Sequence, residues 1–312
     1  MPYNEFGQAL GQALPSFTAG PLPEMRVLSG QTVRIEKLAL SHEADLYPIY
    51  GPDAPQQNWT YMAIEPFQSR EDFHCFFEKM VQSSDPYYLA IVDQASNRAV
   101  GTFALMRIDA AHRVIEMGWV VYSSELQRSR QATEAQYLVM RYVFEDLGYR
   151  RYEWKCDQLN QASCRAALRL GFQYEGTFRQ ALVYKGRNRD TAWFSLLDSE
   201  WPSRKKALET WLADSNFDEN GRQKTALTRP NKAWNSMLTQ WWTAFNRLGR
   251  DLFGSRAGNE DLVSHSFSKC PVLSHFLSHG CIYPQTSSGW FLRPPSPLLT
   301  GKMKSEHFPV KP

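Results

Sequence analysis

Hydrophobic positions between residues 32 and 197 change repeatedly between a two-residue period and a helical period of three to four residues. Alternating or short continuous apolar runs predict seven strands. They are expected at 32–38, 87–92, 99–108, Val114–Tyr122, 150–156, 172–184 and 191–197. Short polar connections after Val92 and Ile108, and a turn at 185–189, predict antiparallel hairpins.

Helical spacing with residues that favour helix ends predicts four helices within the same region. They are expected at 41–49, from Ser69 through Met80, at 131–147 and at Gln161–Leu170. Ser69 is a suitable N-cap and Gly171 a suitable C-cap. The 131–147 helix joins two strands, which are therefore expected to be parallel neighbours. The pattern predicts an α/β domain with a mixed seven-stranded sheet and about four flanking helices.

The remaining sequence divides into segments of different composition. Residues 31–213, including a further helix at 203–213, are predicted to form the domain, and 1–30 a mobile lead-in. A linker at 214–230, an amphipathic helix at 231–253 and a disordered tail at 254–312 are expected to follow. The amphipathic helix carries three tryptophans, so a protein partner or a membrane surface is one expectation and packing on the domain is the other.

Charge and cysteine usage narrow the classes of protein. The net charge is +3, but residues from 231 onward hold nine Lys/Arg against four Asp/Glu, and the first 230 hold 26 against 28. The domain therefore lacks the basic surface that nucleic-acid binding needs. Five scattered cysteines predict no disulfide framework, and neither a secretion signal nor a membrane-spanning run is seen. We expect a soluble cytoplasmic protein, and the oligomeric state stays open.

One group of residues has a spacing found in metal sites. It consists of Cys270, His275, His279 and Cys281. The surrounding sequence predicts no core that would hold these ligands in place, so no metal site is expected.

The segment from Gln127 to Ala135 joins a predicted buried strand to a predicted helix. Backbone N–H groups at a helix N-terminus are unpaired, and the helix dipole adds positive charge there, so phosphate binds readily. Arg128 and Arg130 add forked cationic donors. The loop is a candidate site for a phosphorylated cofactor.

Four motifs in this order resemble those of the GNAT N-acetyltransferases, in particular the group that acetylates the N-termini of ribosomal proteins. They are Glu-Met-Gly-Trp at 116–119, the loop at 127–135, Asn-Gln-Ala-Ser at 160–163 followed by Leu-Gly-Phe at 170–172, and Glu-Gly-Thr-Phe-Arg at 175–179 followed by Gly186 and Asp190. The resemblance implies acetyl-CoA as acyl donor, an amine acceptor, and direct attack in a ternary complex.

The resemblance also implies roles for individual residues. Glu116 is the candidate base, acting through water, although it could instead face a solvated sheet edge or pair with an arginine. Ser163 would protonate or position the CoA sulfur and Asn160 would hold the pantetheine, and both also suit a helix N-terminus. Backbone N–H groups of Trp119, Val120 and Val121 would contact the acetyl carbonyl and the pantetheine. The pyrophosphate would be held by Gln127, Arg128, Ser129, Arg130, Gln131, Ala132 and Thr133.

Gly118 and three hairpin residues leave alternatives open. A glycine in mid-strand indicates a β-bulge or a close backbone approach, and simple packing is the other interpretation. Glu175, Arg179 and Asp190 could line a cleft for a cationic amine or pair across strands.

Arg130 departs from the family pattern Gln/Arg-x-x-Gly-x-Gly/Ala, because it stands where the middle glycine belongs. Either its side chain takes over a phosphate contact or cofactor binding is weakened. The second outcome supports an alternative function, a non-catalytic acyl-CoA-binding protein that acts through the 231–253 helix. Protein N-termini, aminoglycosides, polyamines and small amines all suit the fold, so the acceptor stays open.

Overall fold

The structure is a computed structural model, and it describes residues 2–227. The predicted helix at 231–253, the tail at 254–312 and the four potential metal ligands lie outside the described residues. The strands are β1 Leu28–Ser29, β2 Val33–Lys37, β3 Tyr87–Asp93, β4 Ala99–Asp109, β5 Val114–Tyr122, β6 Arg151–Asp157, β7 Gln173–Tyr184 and β8 Arg187–Leu197. The helices are α1 Glu43–Tyr50, α2 Arg70–Gln82, α3 Arg130–Arg141, α4 Gln161–Leu170 and α5 Trp201–Leu212.

All eight strands form one sheet in the order β1-β2-β3-β4-β5-β6-β8-β7. The pairs β3–β4, β4–β5 and β7–β8 are antiparallel hairpins, as predicted. The β5–β6 pair is parallel. α3 and the π-helical turn that extends it, Tyr142–Asp146, return the chain to the end of the sheet where β5 begins, so β6 runs in the same direction. The mixed α/β sheet is therefore confirmed.

The two faces of the sheet bury separate hydrophobic cores. α3, α4 and α5 pack on one face around Met117, Val139 and Phe194, all of which are buried. α1 and α2 pack on the other face, where Phe73 and Phe77 lie at the centre of an aromatic cluster. On this second face α1 and α2 pack on the β2–β5 end of the sheet. At the β6–β8–β7 end, the α1–α2 loop contacts the closing hairpin through Lys185.

The segment before residue 31 supplies the strand that the sequence pattern did not predict. Leu28 and Ser29 form β1, which pairs with β2 and raises the strand count to eight. Two residues are too few for an alternating pattern to be recognised. Further upstream, the N–H of Glu24 donates to the Tyr142 hydroxyl at 3.0 Å, and the Tyr149 hydroxyl donates to the Pro21 carbonyl at 3.0 Å. Within residues 2–227, no helix is long and apolar enough to cross a membrane.

Candidate active site

The two parallel strands at the centre of the sheet separate along their length. Residues 114–117 of β5 pair with 151–154 of β6, but β5 continues to Tyr122 and β6 to Asp157 with no further pairing between them. An opening forms at the carboxyl ends of both strands, where backbone groups are left without sheet partners. Ligands of open α/β sheets bind at such a position.

A β-bulge lies beside this opening. Gly118 pairs with Ala104 and Val121 with Thr102, so Trp119 and Val120 together oppose one residue of β4. Trp119 has a φ of 49°, which is uncommon for an aromatic residue. The bulge that Gly118 predicted is present one residue further on. At Gly118 itself a Cβ would lie 2.3 Å from the Met106 sulfur, so a larger residue there would require the Met106 side chain to move.

The predicted phosphate loop follows β5 directly. Ser129 is the N-cap of α3, and its hydroxyl accepts a hydrogen bond from the Ala132 N–H at 3.0 Å. The capped first turn leaves the N–H groups of Arg130 and Gln131 directed beyond the helix end. The Arg128 side chain is exposed and has no hydrogen bond or ion pair within residues 2–227. The backbone of Arg128 has a φ of 61°.

The remaining side chains of the loop are occupied. The Gln131 amide donates to Asp93 at 2.6 Å, and the Gln127 amide donates to the Tyr122 carbonyl at 3.4 Å. Thr133 is buried, and its hydroxyl accepts from Arg169 at 3.0 Å.

The Arg130 side chain leaves the loop and contacts the C-terminal end of α5. Its guanidinium donates to Gln31 and to Asp214, each at 2.7 Å, and also to the Leu212 carbonyl. It lies 4.5 Å from the centre of the Phe217 ring. The residue is the first of α3 and has no positive φ, so this position does not need the conformational freedom of glycine. In this loop the left-handed residue is Arg128.

Glu116 is buried on β5, on the face that α1 and α2 partly cover, and it is ion-paired. Arg107 Nη1 donates to both carboxylate oxygens, at 2.8 and 2.6 Å, and Lys155 Nζ lies 2.8 Å from Oε2. The alternative of pairing with an arginine is therefore observed. A base role does not conflict with it, because a carboxylate has four lone-pair sites and three contacts are present.

Lys155 was not predicted from the sequence, although a signal for it is visible there. Along β6 the charged residues alternate with buried apolar residues, and the charged set is Arg151, Glu153, Lys155 and Asp157. The Lys155 side chain is 7% exposed, bonds to Glu116 and to Glu153, and lies 3.9 Å from the Trp193 ring centre. Buried charges are placed only where partners compensate their desolvation, so this alternation marked a polar site.

The residues after β6 lie at the same end of the sheet as the phosphate loop, because β5 and β6 are parallel. Asn160 is the N-cap of α4, and its side-chain oxygen accepts from the Ser163 N–H at 3.1 Å. The Ser163 hydroxyl accepts from the Trp154 indole at 2.9 Å. Capping is therefore observed for Asn160, and its amide N–H₂ group has no partner within residues 2–227.

The closing hairpin residues take part in pairing. Glu175 forms a bidentate contact with Arg151 and accepts from the Ser195 hydroxyl at 2.7 Å. The Arg151 hydrogen bond holds the pKa of Glu175 below its ordinary value. Asp190 accepts from the Gln180 N–H at 2.8 Å. Cross-strand pairing, one of the two alternatives, is what these two carboxylates do.

The sequence and the structure are similar to those of known acetyltransferases. The profile of the acetyltransferase (GNAT) domain family matches residues 33–173. A GCN5-related N-acetyltransferase from Brucella melitensis is 46% identical, with a TM-score of 0.67 over 69% of this chain and 97% of that chain. This chain belongs to the GNAT family of acetyltransferases. The family resemblance stated from the four motifs is thereby confirmed, and the acyl donor of such enzymes is acetyl-CoA.

Other relatives agree with this membership. A probable GNAT acetyltransferase from Chromobacterium violaceum is 36% identical, with a TM-score of 0.58 over 62% of this chain and 98% of that chain. YdaF of Bacillus subtilis, provisionally named a ribosomal N-acetyltransferase, is 30% identical over 105 residues, which are 34% of this chain. The match spans only 57% of the length of YdaF.

The residues of this GNAT domain fit the donor. A nucleotide thioester needs phosphate donors and a slot that accepts the amide groups of pantetheine. The capped start of α3, the exposed Arg128 and the unpaired edges of β5 and β6 provide both kinds of group at one end of the sheet.

Proposed function

We propose that this domain transfers the acetyl group of acetyl-CoA to a primary amine by direct attack in a ternary complex. The observation that carries the proposal is the opening between β5 and β6, which has a helix N-terminus and a free arginine at its mouth. In the proposed complex the pyrophosphate meets the N–H groups that begin α3 and the Arg128 guanidinium. Backbone groups at the Trp119–Val120 bulge receive the pantetheine and the acetyl carbonyl.

Glu116 is the proposed base. An amine must lose a proton before or during attack on the thioester, and a buried carboxylate beside the opening can take it through a bound water. Arg107 and Lys155 hold the carboxylate in one orientation. These three bonds fix the direction of the fourth lone-pair site of the Glu116 carboxylate. The proposed base would therefore be in position before the amine enters.

Ser163 is proposed to assist departure of the thiolate. Its hydroxyl accepts a hydrogen bond from the Trp154 indole and also forms a hydrogen bond with the Cys156 thiol, so in the proposed reaction it would turn its proton from that thiol to the CoA sulfur. Asn160, which caps the same helix, has its amide N–H₂ group free for a carbonyl of the pantetheine.

Binding and turnover test the proposal in two stages. Isothermal titration with acetyl-CoA is expected to give saturable heat, and a panel of primary amines is expected to include at least one that is acetylated. Glu116→Gln should lower kcat by about 10²- to 10⁴-fold, the range typical of general base catalysis.

The control for this variant is Glu175→Gln, which removes a paired carboxylate on the neighbouring hairpin. It should retain kcat within about threefold. An acetyl-CoA titration without heat at millimolar concentration would refute the proposed donor, and an unchanged kcat in Glu116→Gln would remove that residue from the mechanism. The alternative of a non-catalytic binding protein gains no support, since the Arg130 departure that suggested it is accounted for by the contacts of Arg130 with α5.

A further inference from the structure

Three alternate residues of β8 carry buried polar atoms that have no hydrogen-bond partner among residues 2–227. They are Nε of Arg189, Oγ1 of Thr191 and Nε1 of Trp193. Alternate residues of a strand point to one face, and Ala192 and Phe194, which have the opposite parity, pack into the core under α3–α5. The three side chains therefore form a row on the opposite face, with neighbouring members about 7 Å apart.

Unsatisfied groups of this kind are few in folded proteins, because each costs roughly 1–3 kcal/mol. The next residue on the same face, Ser195, is satisfied by Glu175 at 2.7 Å. On this face of β8, the unpaired atoms therefore lie at residues 189–193, which come before Ser195 in the strand. Three in succession on one face indicate groups kept for a ligand.

The row begins beside the proposed base. Trp193 pairs with Lys155 in the β6–β8 register, and Lys155 Nζ lies 3.9 Å from the Trp193 ring centre and 2.8 Å from Glu116. Thr191 pairs with Asp157, whose carboxylate accepts from the Tyr184 hydroxyl at 2.8 Å. A ligand that follows the row would have one end near Glu116.

The α1–α2 loop contacts the closing hairpin beside this row. Lys185, at the tip of the hairpin, donates to the Trp59 carbonyl at 2.8 Å and pairs with Glu65 at 2.8 Å. The Trp59 ring itself is buried against Tyr50 in the core under α1 and α2. The Tyr61 hydroxyl donates to the Leu159 carbonyl at 3.2 Å, directly before the Asn160 cap.

The chemistry of the unpaired atoms selects among acceptors. Two of the three groups in the row are N–H donors only, one of them is cationic, and the third is a hydroxyl that can donate. A carboxylate satisfies such donors, whereas a polyamine brings further donors and positive charge, and would leave them unpaired. We propose that the Arg189–Thr191–Trp193 row recognises a carboxylate on the acceptor, so that the preferred acceptor is an amino carboxylate. This inference rests on the proposed function.

The test compares acceptors of matched length. Initial rates with saturating acetyl-CoA are measured for amino acids and ω-amino carboxylates of two to eight carbons, for the alkylamines of the same lengths, and for the corresponding diamines. The best amino carboxylate is expected to exceed its alkylamine by about tenfold or more in kcat/KM, and the diamine to fall below both. Equal rates for the carboxylate and the alkylamine at every length, or a diamine as best acceptor, would overturn the inference.

Variants then connect the preference to the row. Trp193→Phe removes the indole N–H and keeps a ring beneath Lys155, and Thr191→Val removes the hydroxyl at nearly constant volume. Each is expected to reduce the ratio of the two kcat/KM values by about fivefold or more. Arg189→Met is expected to reduce the same ratio, because the Arg189 Nε is one of the unpaired buried donors. Arg187→Met is its matched control and should leave the ratio unchanged, because Arg187 lies on the same strand but is exposed.

The outcomes separate the two proposals. If no amine is acetylated and acetyl-CoA does not bind, the proposed function fails. If amines are acetylated but the carboxylate preference is absent, or persists unchanged in Arg189→Met and Trp193→Phe, only the assignment of the row fails. A preference for peptide N-termini that is equal for free and C-terminally amidated dipeptides would also contradict a carboxylate subsite.

Discussion

Arg128 and Arg130 lie two residues apart in one loop but have different surroundings. Arg130 is held by Gln31, Asp214 and the Leu212 carbonyl and covers the Phe217 ring, whereas Arg128 is exposed and unpaired within residues 2–227. The sequence placed two cations in the loop, and phosphate affinity was assigned to both. Arg130 leaves the loop because the end of α5 supplies its partners, and Arg128 stays available to phosphate. The local sequence does not show where α5 packs, so it could not distinguish the two arginines.

A pair of matched substitutions distinguishes the two arginines. Arg128→Gln should raise the Kd for acetyl-CoA by about 5- to 30-fold, since one charge-assisted phosphate contact contributes roughly 1–2 kcal/mol, and leave Tm within a degree. Arg130→Gln should lower Tm by several degrees and change Kd by less than threefold. Titration calorimetry and thermal unfolding measure both quantities. The reverse assignment would mean that Arg130 rearranges to bind phosphate.

At the scale of elements, the sequence predicted helix-capping residues correctly, whereas it located the β-bulge only to within one residue. Ser69 and Asn160, both predicted at helix N-termini, accept backbone hydrogen bonds as N-caps, because capping depends on residues three apart in the chain. Ser129, for which no cap was predicted, does the same for α3. Gly171 ends α4 with a φ of 105°, as its position after the helical stripe predicted. The bulge at Trp119 was foreseen only approximately, since its location depends on register with β4.

Gly171 permits a direct test of an element boundary. A Cβ at this position would lie 2.0 Å from Nε of the buried Arg204, in addition to the strain of a positive φ. Gly171→Ala is expected to lower the free energy of unfolding by about 1–3 kcal/mol. Gly221→Ala, at a φ of 71° with no atom within 4 Å of the added Cβ, should cost less than half as much. Equal losses in urea titrations would show that the clash is relieved without cost.

At the scale of the whole molecule, one buried carboxylate joins α3 to the start of the sheet. Glu134 accepts hydrogen bonds from the N–H groups of Thr32 at 2.8 Å and Val33 at 3.2 Å, and from the Gln31 N–H and the Thr32 hydroxyl. Gly30 allows this close approach, since a Cβ there would lie 2.6 Å from the carboxylate. The helix that begins at the phosphate loop is thereby anchored to the β1–β2 connection.

Glu134→Gln tests this long-range link. An amide has one acceptor oxygen and brings two donors toward a site lined by donors, so at least one buried N–H loses its partner. The free energy of unfolding is expected to fall by about 1–3 kcal/mol. Glu219→Gln, at an exposed position, should change it by less than about 0.5 kcal/mol. An unchanged stability in Glu134→Gln would show that the carboxylate is dispensable.

The sequence by itself determined the α/β class, seven of the eight strands in their order along the chain, and the parallel step around α3. These features depend on hydrophobic period, turn residues and helix caps, all of which act over a few neighbouring residues. The tertiary structure alone decided that β5 and β6 separate after residue 117, that Arg130 turns to α5, and that Lys155 bonds to Glu116. Each of these three features depends on residues that are distant in the chain. Its geometry is set by the packing of those residues against one another, which the local sequence pattern does not specify.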